Sequence, residues 1–479
     1  MKKASSLYLN AGVAFSLLAC MSCSKSAEEL PSSESENTVS SGSKPNILLI
    51  ITDQQSYNTI SAHRTFYGNN YSQTPNIDRI ANSGVSFTRA YCANPVSVPS
   101  RFSLFTGMYG GRYNIRDNNS DEAVEATVRS MLATHAMGNV FKNGGYETYY
   151  GGKVHLPFSA NRGTSKFAAP TGYGFDGYLT RDERAGLGKE VANFLVNRKT
   201  SEKPFLLVAS FLNPHDICLE SSTNLSEEIV SDDPEKTATV RMMRDRLAAY
   251  DPVEFYRDIA PALPQNNEKT IGYPNTKCSR KRFLDFPDWY WQKYRWIYGQ
   301  MVSLVDQHIG EVLDALDRNP ELKKNTLIVF TSDHGEMQGA HHTVTKSLPY
   351  EECQRVPFIF AGTGISQSKR EDVPVCNGVD LLPTLCELAR IQAPENGEGI
   401  SLAGYIKGGE VASRNYLYME SETFVALLKQ NYKYTHFDRD GEYEMLIDLA
   451  KDKGEMRNVV QENPLVLNDF RSWIKENGK

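Results

Sequence analysis

Continuous apolar runs alternate along this chain with stretches whose apolar residues recur at helical spacing. That alternation predicts an α/β fold, a large, mostly parallel sheet flanked by helices. Residues 46–52 (NILLIIT) read as a strand buried on both faces, as do 146–150, 205–211 (FLLVASF), 326–331 (TLIVFT) and the shorter 358–360. Residues 302–316 and 381–388 carry their apolar side chains at helical spacing. Between 216 and 296, charges, prolines and aromatics mix without a clean period, which predicts a long insertion of short helices over the core. Beyond 411, short strands are expected at 415–419, 424–429 and 432–437, with a turn at 438–441 and a closing helix over 464–475. The predicted division is a main domain over 45–410, with its insertion at 216–296. A smaller C-terminal subdomain of antiparallel strands plus a helix comes after it, over 411–479.

Residues 1–23 stand apart from this pattern. Lys2 and Lys3 precede an apolar run, 11–19, that is too short to span a bilayer and suits a signal segment. The run ends Leu17-Leu18-Ala19-Cys20, which resembles a bacterial lipoprotein cleavage box with Cys20 as the lipidated residue. Cys23 is the alternative, and a plain secretory signal would lead to the same destination. The Ser/Glu-rich stretch 24–44 reads as a flexible tether. The expectation is an exported protein, a periplasmic or cell-surface lipoprotein of a Gram-negative bacterium, joined to the membrane by lipid alone.

Composition narrows the chemistry. The net charge of −6 argues against a general nucleic-acid binder but leaves room for a local cationic pocket. Cys92, Cys218, Cys278, Cys353, Cys376 and Cys386 form no CxxC pair, so thiolate-held zinc is not expected. The residues just beyond each predicted strand are more informative: Asp53-Gln54 after the first, Gly152-Lys153-Val154-His155 after the second, Asn213-Pro214-His215 after the third, and Ser332-Asp333-His334-Gly335 after the fourth. In open α/β sheets ligands sit beyond the carboxyl ends of the strands, so four strand ends should deliver these groups to one rim. Singly, each has a bland reading as a turn, cap or surface residue; together they point to a site. A fifth element is Ser97-Val98-Pro99-Ser100-Arg101. Pro99 suits a helix start with Ser97 just before it, which offers a helix amino end to an oxyanion. The plain alternative is that Ser97 is a helix cap.

Ser97-x-Pro-Ser-Arg, with Thr106-Gly107 after it, resembles the signature of the formylglycine-dependent sulfatases in its serine-type version. The likeness runs in order from about residue 45 to 460, through the strand ends above, to Lys346 ahead of Arg355-Val356-Pro357 and to 445–458 near the end. It implies an alkaline-phosphatase-like fold and hydrolysis of a sulfate ester by the hydrated aldehyde made from Ser97. It also implies a serine-type formylglycine maturase as a partner before export. By matching positions, Asp53, Gln54, Ser97, Asp333 and His334 would surround one Ca²⁺. Arg101, Lys153, His155, His215 and Lys346 would complete the catalytic set. Gln54 stands where many members have a second Asp, and His334 where many have Asn. The implied substrate is a sulfated saccharide, with Asp216, Glu420, Glu422 and His436 as candidate sugar contacts. The aromatics at 289–296 would either stack on sugar or pack the insertion. Rival readings are a choline- or aryl-sulfatase-type enzyme, a phosphoesterase of the same superfamily, which would need a richer two-zinc ligand set, and a non-catalytic glycan binder. The last should have lost one of the catalytic groups, and none is missing.

Overall fold

The computed structural model describes residues 43–478 except 68–70, 120–124, 159–168, 221–230, 232–233, 269–284, 366–367, 410–413 and 438–442. The signal segment with Cys20, nearly all of the tether, Cys278 and the turn at 438–441 lie outside the described residues. Strands β1 (Asn46–Asp53), β2 (Val85–Tyr91), β3 (Glu147–Gly152), β4 (Gly177–Tyr178), β5 (Phe205–Pro214), β6 (Thr326–Ser332), β7 (Phe358–Gly362) and β8 (Lys369–Cys376) form one sheet in the order β4-β3-β5-β1-β6-β7-β2-β8. Only β7 runs against its neighbours. The four strands that carry the candidate groups are adjacent and parallel, β3-β5-β1-β6, so their carboxyl ends share one edge.

The unbroken apolar run of β1 is explained by its neighbours. Ile47, Leu49 and Ile51 pack with Phe102, Leu381 and Leu385 on one face, while Leu48 and Ile50 pack with Val191, Ile309 and Leu313 on the other. Both faces are dry, so alternation disappears from the sequence. Strands β9 (Leu417–Glu420), β10 (Phe424–Lys429), β11 (Tyr432–Phe437) and β12 (Tyr443–Asp448) make a second, antiparallel sheet. The closing helix Pro464–Asn477 packs on it through Phe470, stacked on Tyr434 at 5.5 Å. Among the described residues no helix is long and apolar enough to cross a membrane.

Of the elements that differ from expectation, three bear on the site or on how the sequence reads. The helix expected at 302–316 runs from Asp288 to Asp317, 30 residues, so the last part of the supposed irregular insertion is regular helix. Most of its first half is buried, Tyr290, Trp291, Tyr294, Trp296, Ile297 and Tyr298 included, and a helix buried on most sides shows no amphipathic stripe. The edge strand β8 escapes notice because its sequence, KREDVPVC, is charged and holds a proline, which edges tolerate. The helix expected to begin at Pro99 begins at Ser97 itself, with Val96 as its cap residue. Proline fits at the third position because the first-turn N–H groups lack intrahelical partners anyway.

Candidate active site

The site is organised around a buried guanidinium. Arg101 projects from the helix Ser97–Thr106, every residue of which is buried and which ends at Gly107 with φ 69°. Its Nη2 donates to Asp53 Oδ2 at 2.9 Å, its Nε to Asp333 Oδ2 at 2.9 Å, and its Nη1 to Ser210 Oγ at 2.9 Å and the Lys153 carbonyl at 3.2 Å. Lys153 Nζ lies 2.7 Å from Asp53 Oδ2. Groups from β1, β3, β5 and β6 are thereby drawn onto one side chain. Burial opposes ionisation of Asp53, but Lys153, His215 and Arg101 hold its carboxyl well below the usual range. Asp333 has a share of Arg101 but no lysine in contact, and burial and the charge of Asp53 push it up to about 7. Two carboxylates that share a cation separate in this way.

Ser97 is the first residue of its helix, and its hydroxyl lies against side chains from other elements. Its Oγ lies 3.0 Å from His334 Nε2 and accepts from Lys346 Nζ at 3.4 Å. His334 Nδ1 lies 3.0 Å from the Gly335 carbonyl, to which it can only donate. Burial, with Lys346 next, keeps the ring well below its usual pKa, so it is neutral and its Nε2 lone pair faces the Ser97 hydroxyl. That Nε2 is also 4.0 Å from Asp53 Oδ1 and 3.7 Å from Asp333 Oδ1. Asp53 Oδ1 is buried without a hydrogen-bond partner among the described residues. Oxygens of two carboxylates and one imidazole nitrogen lie within 4.8 Å of one another. A buried, unpartnered carboxylate oxygen beside a second carboxylate and a neutral imidazole fits a divalent cation.

Gln54, expected among the metal ligands, directs its amide elsewhere. Its carbonyl oxygen accepts from Lys346 at 2.8 Å and its NH₂ donates to Glu336, while its backbone N–H donates to Asp333 Oδ1 at 3.0 Å. His215 Nε2 stands 4.0 Å from Asp53 Oδ1, and burial with Lys153 and Lys346 holds it well below its ordinary pKa. His155 is pushed down to about 2 by burial and then Lys153. All of the catalytic set named from the sequence therefore converges on one edge.

The candidate sugar contacts are placed differently. Both Asp216 oxygens accept from Arg184, at 3.0 and 2.9 Å, so Arg184 is the more exposed partner of that pair. Glu420 accepts from the Gly111 N–H and, at 2.9 Å, from the Tyr418 hydroxyl, which fastens β9 to the segment after the Ser97 helix. A Cβ on Gly111 would sit 2.2 Å from Glu420 Oε2, so this approach requires glycine. Glu422 is half-buried between β9 and β10, and His436 lies on β11 opposite Val425 and Glu444. Of the aromatics, Tyr290, Trp291, Tyr294 and Trp296 pack the insertion onto the core, and Trp289 is exposed.

Sequence reasoning missed Ser210, Arg184 and Glu336. Glu336 accepts from Gln54, from the Tyr294 hydroxyl at 2.9 Å and from the Thr345 N–H, tying the insertion to the site. Its place in the segment 332–336 was the available signal. Also missed was backbone strain: Gln54, His155, Thr345 and Ser347 all have φ between 43° and 77°, a region costly for residues with a Cβ.

The sulfatase family profile matches residues 45–391, and one described as N-sulphoglucosamine sulphohydrolase, C-terminal, matches residues 339–472. The chain is 31% identical over 453 residues to a Delta 4,5-hexuronate-2-O-sulfatase of Bacteroides thetaiotaomicron, covering 88% of this chain and 85% of that one. It is 25% identical over 478 residues to an N-acetylglucosamine-6-O-sulfatase of the same organism, covering 87% and 82%. Among solved structures, a 2-O GAG sulfatase superposes with a TM-score of 0.69 at 26% identity, over 91% of this chain and 92% of that one.

Proposed function

This chain belongs to the sulfatase family, and from that premise we propose that it removes sulfate from a glycan, using a formylglycine made from Ser97 and one Ca²⁺ held by Asp53, Asp333 and His334. The observation that carries this reading is the Ser97 hydroxyl, which is held between His334 and Lys346. Oxidation of Ser97 would supply a hydrated aldehyde, one hydroxyl attacking sulfur and the other expelling sulfate afterwards. A bound Ca²⁺ would supply positive charge to the sulfate oxygens.

The chain's own groups divide the remaining work. Arg101 fixes Asp53 and Asp333 relative to the helix that carries residue 97. The neutral Nε2 of His334 offers the one lone pair that would go to the ion, beside the hydroxyl at that position. Lys153 and Lys346 offset charge that grows on the sulfate oxygens in the transition state. His155, neutral and buried beside Lys153, serves the release step. In the resting site Lys153 and Lys346 keep His215 neutral; an arriving sulfate ester offsets those charges and favours the imidazolium that the leaving oxygen requires.

The sulfated-glycan substrate is supported by the relatives, whose names specify hexuronate and N-acetylglucosamine sulfates. We place the protein outside the cytoplasm as a lipoprotein anchored at Cys20, matured beforehand by a serine-type formylglycine maturase. Mass spectrometry of the Ser97 peptide from the native host should show the residue lighter by two hydrogens. Ser97→Ala should abolish desulfation while leaving saccharide binding. Unmodified serine in an active preparation would reject the mechanism.

A further inference from the structure

A cavity of about 590 Å³ opens between Arg295 on the long helix, Tyr57 and Asn58 after β1, and the segment 449–454 after β12. Asp53, Ser97, Lys153, His215 and Lys346 are not among its lining residues, so it is separate from the catalytic centre. Its volume is that of a small-molecule site.

Arg295 is the unusual group in this cavity. It is 9% exposed, and its guanidinium stacks 4.7 Å over the Tyr71 ring. Among the described residues it makes no hydrogen bond and no ion pair, and its Nε is buried without an acceptor. Arg355, in the same lining, is satisfied by contrast, donating to the Thr88 carbonyl and, at 3.0 Å, to Glu351. Across from these groups Glu352 gives one oxygen to the Asn266 amide at 3.0 Å, while its Oε2 is buried without a partner among the described residues. Burial lowers the Arg295 pKa and raises that of Glu352, as expected of ionisable groups denied water.

Glu352 acts on Arg295 only through space; a buried guanidinium with no anion in contact is costly, and its planar fork matches the paired oxygens of a carboxylate or sulfate. We infer that this cavity binds a hydroxyl-bearing molecule carrying a single oxyanion, a carboxylate or a sulfate, with Arg295 clasping the anion and Glu352 Oε2 taking a hydroxyl. The acidic groups Glu351, Glu352 and Asp372 in the lining disfavour a more highly charged ligand. The inference does not depend on the reaction assigned to Ser97.

The test uses the whole mature chain, with glucuronate, glucose 6-sulfate and, as the neutral control, glucose. Titration calorimetry on a Lys346→Met chain, impaired at the catalytic anion site, should still register glucuronate or glucose 6-sulfate but not glucose. Adding Arg295→Met to that chain should weaken binding at least tenfold. Preference for one anion identifies the source of the charge. An unchanged isotherm after Arg295→Met, or no binding of either anion, overturns the inference. Should the Arg295 variant not fold, Lys346→Met crystals soaked in glucuronate or glucose 6-sulfate decide it. Density against the guanidinium supports the site, and density for neither ligand there refutes it.

Discussion

Arg101→Met removes the cation that joins two buried carboxylates while keeping an unbranched side chain of similar length. The structure sets the size of the effect. Arg101 is wholly buried, with ion pairs of 2.9 Å to both Asp53 and Asp333. After the change Asp53 keeps Lys153 at 2.7 Å, so its charge remains paired. Asp333 keeps only the backbone N–H groups of Gln54 and His334, at 3.0 and 2.9 Å. Leaving a buried carboxyl without its cation, so that it stays charged and unpaired or takes up a proton, costs up to about 3–5 kcal/mol. With an unfolding entropy of about 2 cal/mol/K per residue over the folded unit, that is a fall of about 3–5 °C in the melting midpoint. Because the burden falls on Asp333, adding Asp333→Asn should restore most of the loss. Arg101→Lys should restore less than half, since an ammonium cannot span both carboxylates. Calorimetric melts at pH 7.5 in chelator measure this without any bound metal. A midpoint at or above that of the wild type, or no rescue by Asp333→Asn, would falsify the bridging argument. Turnover of Arg101→Met on a sulfated saccharide should fall by at least about 10²-fold, the scale of losing one preorganised charge donor.

Other consequences are open to direct measurement. Calcium at about a hundred times its dissociation constant should add about 2.7 kcal/mol of stability, roughly 3 °C here; Asp53→Asn should abolish that gain, and an undiminished gain would place the ion elsewhere. Arg184→Met leaves Asp216, 2% exposed, without its bidentate partner and should cost about 2–4 kcal/mol in urea melts, together with a lower kcat through the adjoining His215; no change in either would show that the pair is incidental. Burial pushes His63 down to about 4 and His341 to about 3, whereas unfolded imidazoles titrate near pH 6.5. Below that pH the unfolded chain takes up protons that the folded chain refuses, so stability is full above pH 6.5 and falls on acidification by up to about 1.4 kcal/mol per pH unit for each. His341→Phe, which can keep the stack on Tyr350, should remove about one fifth of the histidine part of that slope, because His155, His215 and His334 are held neutral in the same way.

How much of this was legible beforehand depended on burial and locality. β1, β5 and β6 were readable because strands covered on both faces must be apolar throughout, and four strand-end motifs pointed to one edge from local pattern alone. The start of the long helix was not, because Trp291, Tyr294 and Tyr298 turn most faces toward packing and erase the period. The Gly111 approach to Glu420 and the Asp216–Arg184 pair were equally hidden, since each joins residues whose proximity no local pattern encodes.

The sequence alone determined which groups are available: a serine ahead of proline and arginine, two aspartates, three histidines and one lysine at the ends of predicted elements, and Lys346 downstream of them. Their roles waited on tertiary structure. Only the fold places the Ser97 hydroxyl between His334 and Lys346, and the Gln54 amide on Lys346 and Glu336. Residue type and short-range pattern fix chemistry and secondary structure. Partners hundreds of positions apart are fixed only when the sheet order sets β3, β5, β1 and β6 side by side, because charge pairing and hydrogen bonding act over a few ångströms of space rather than along the chain.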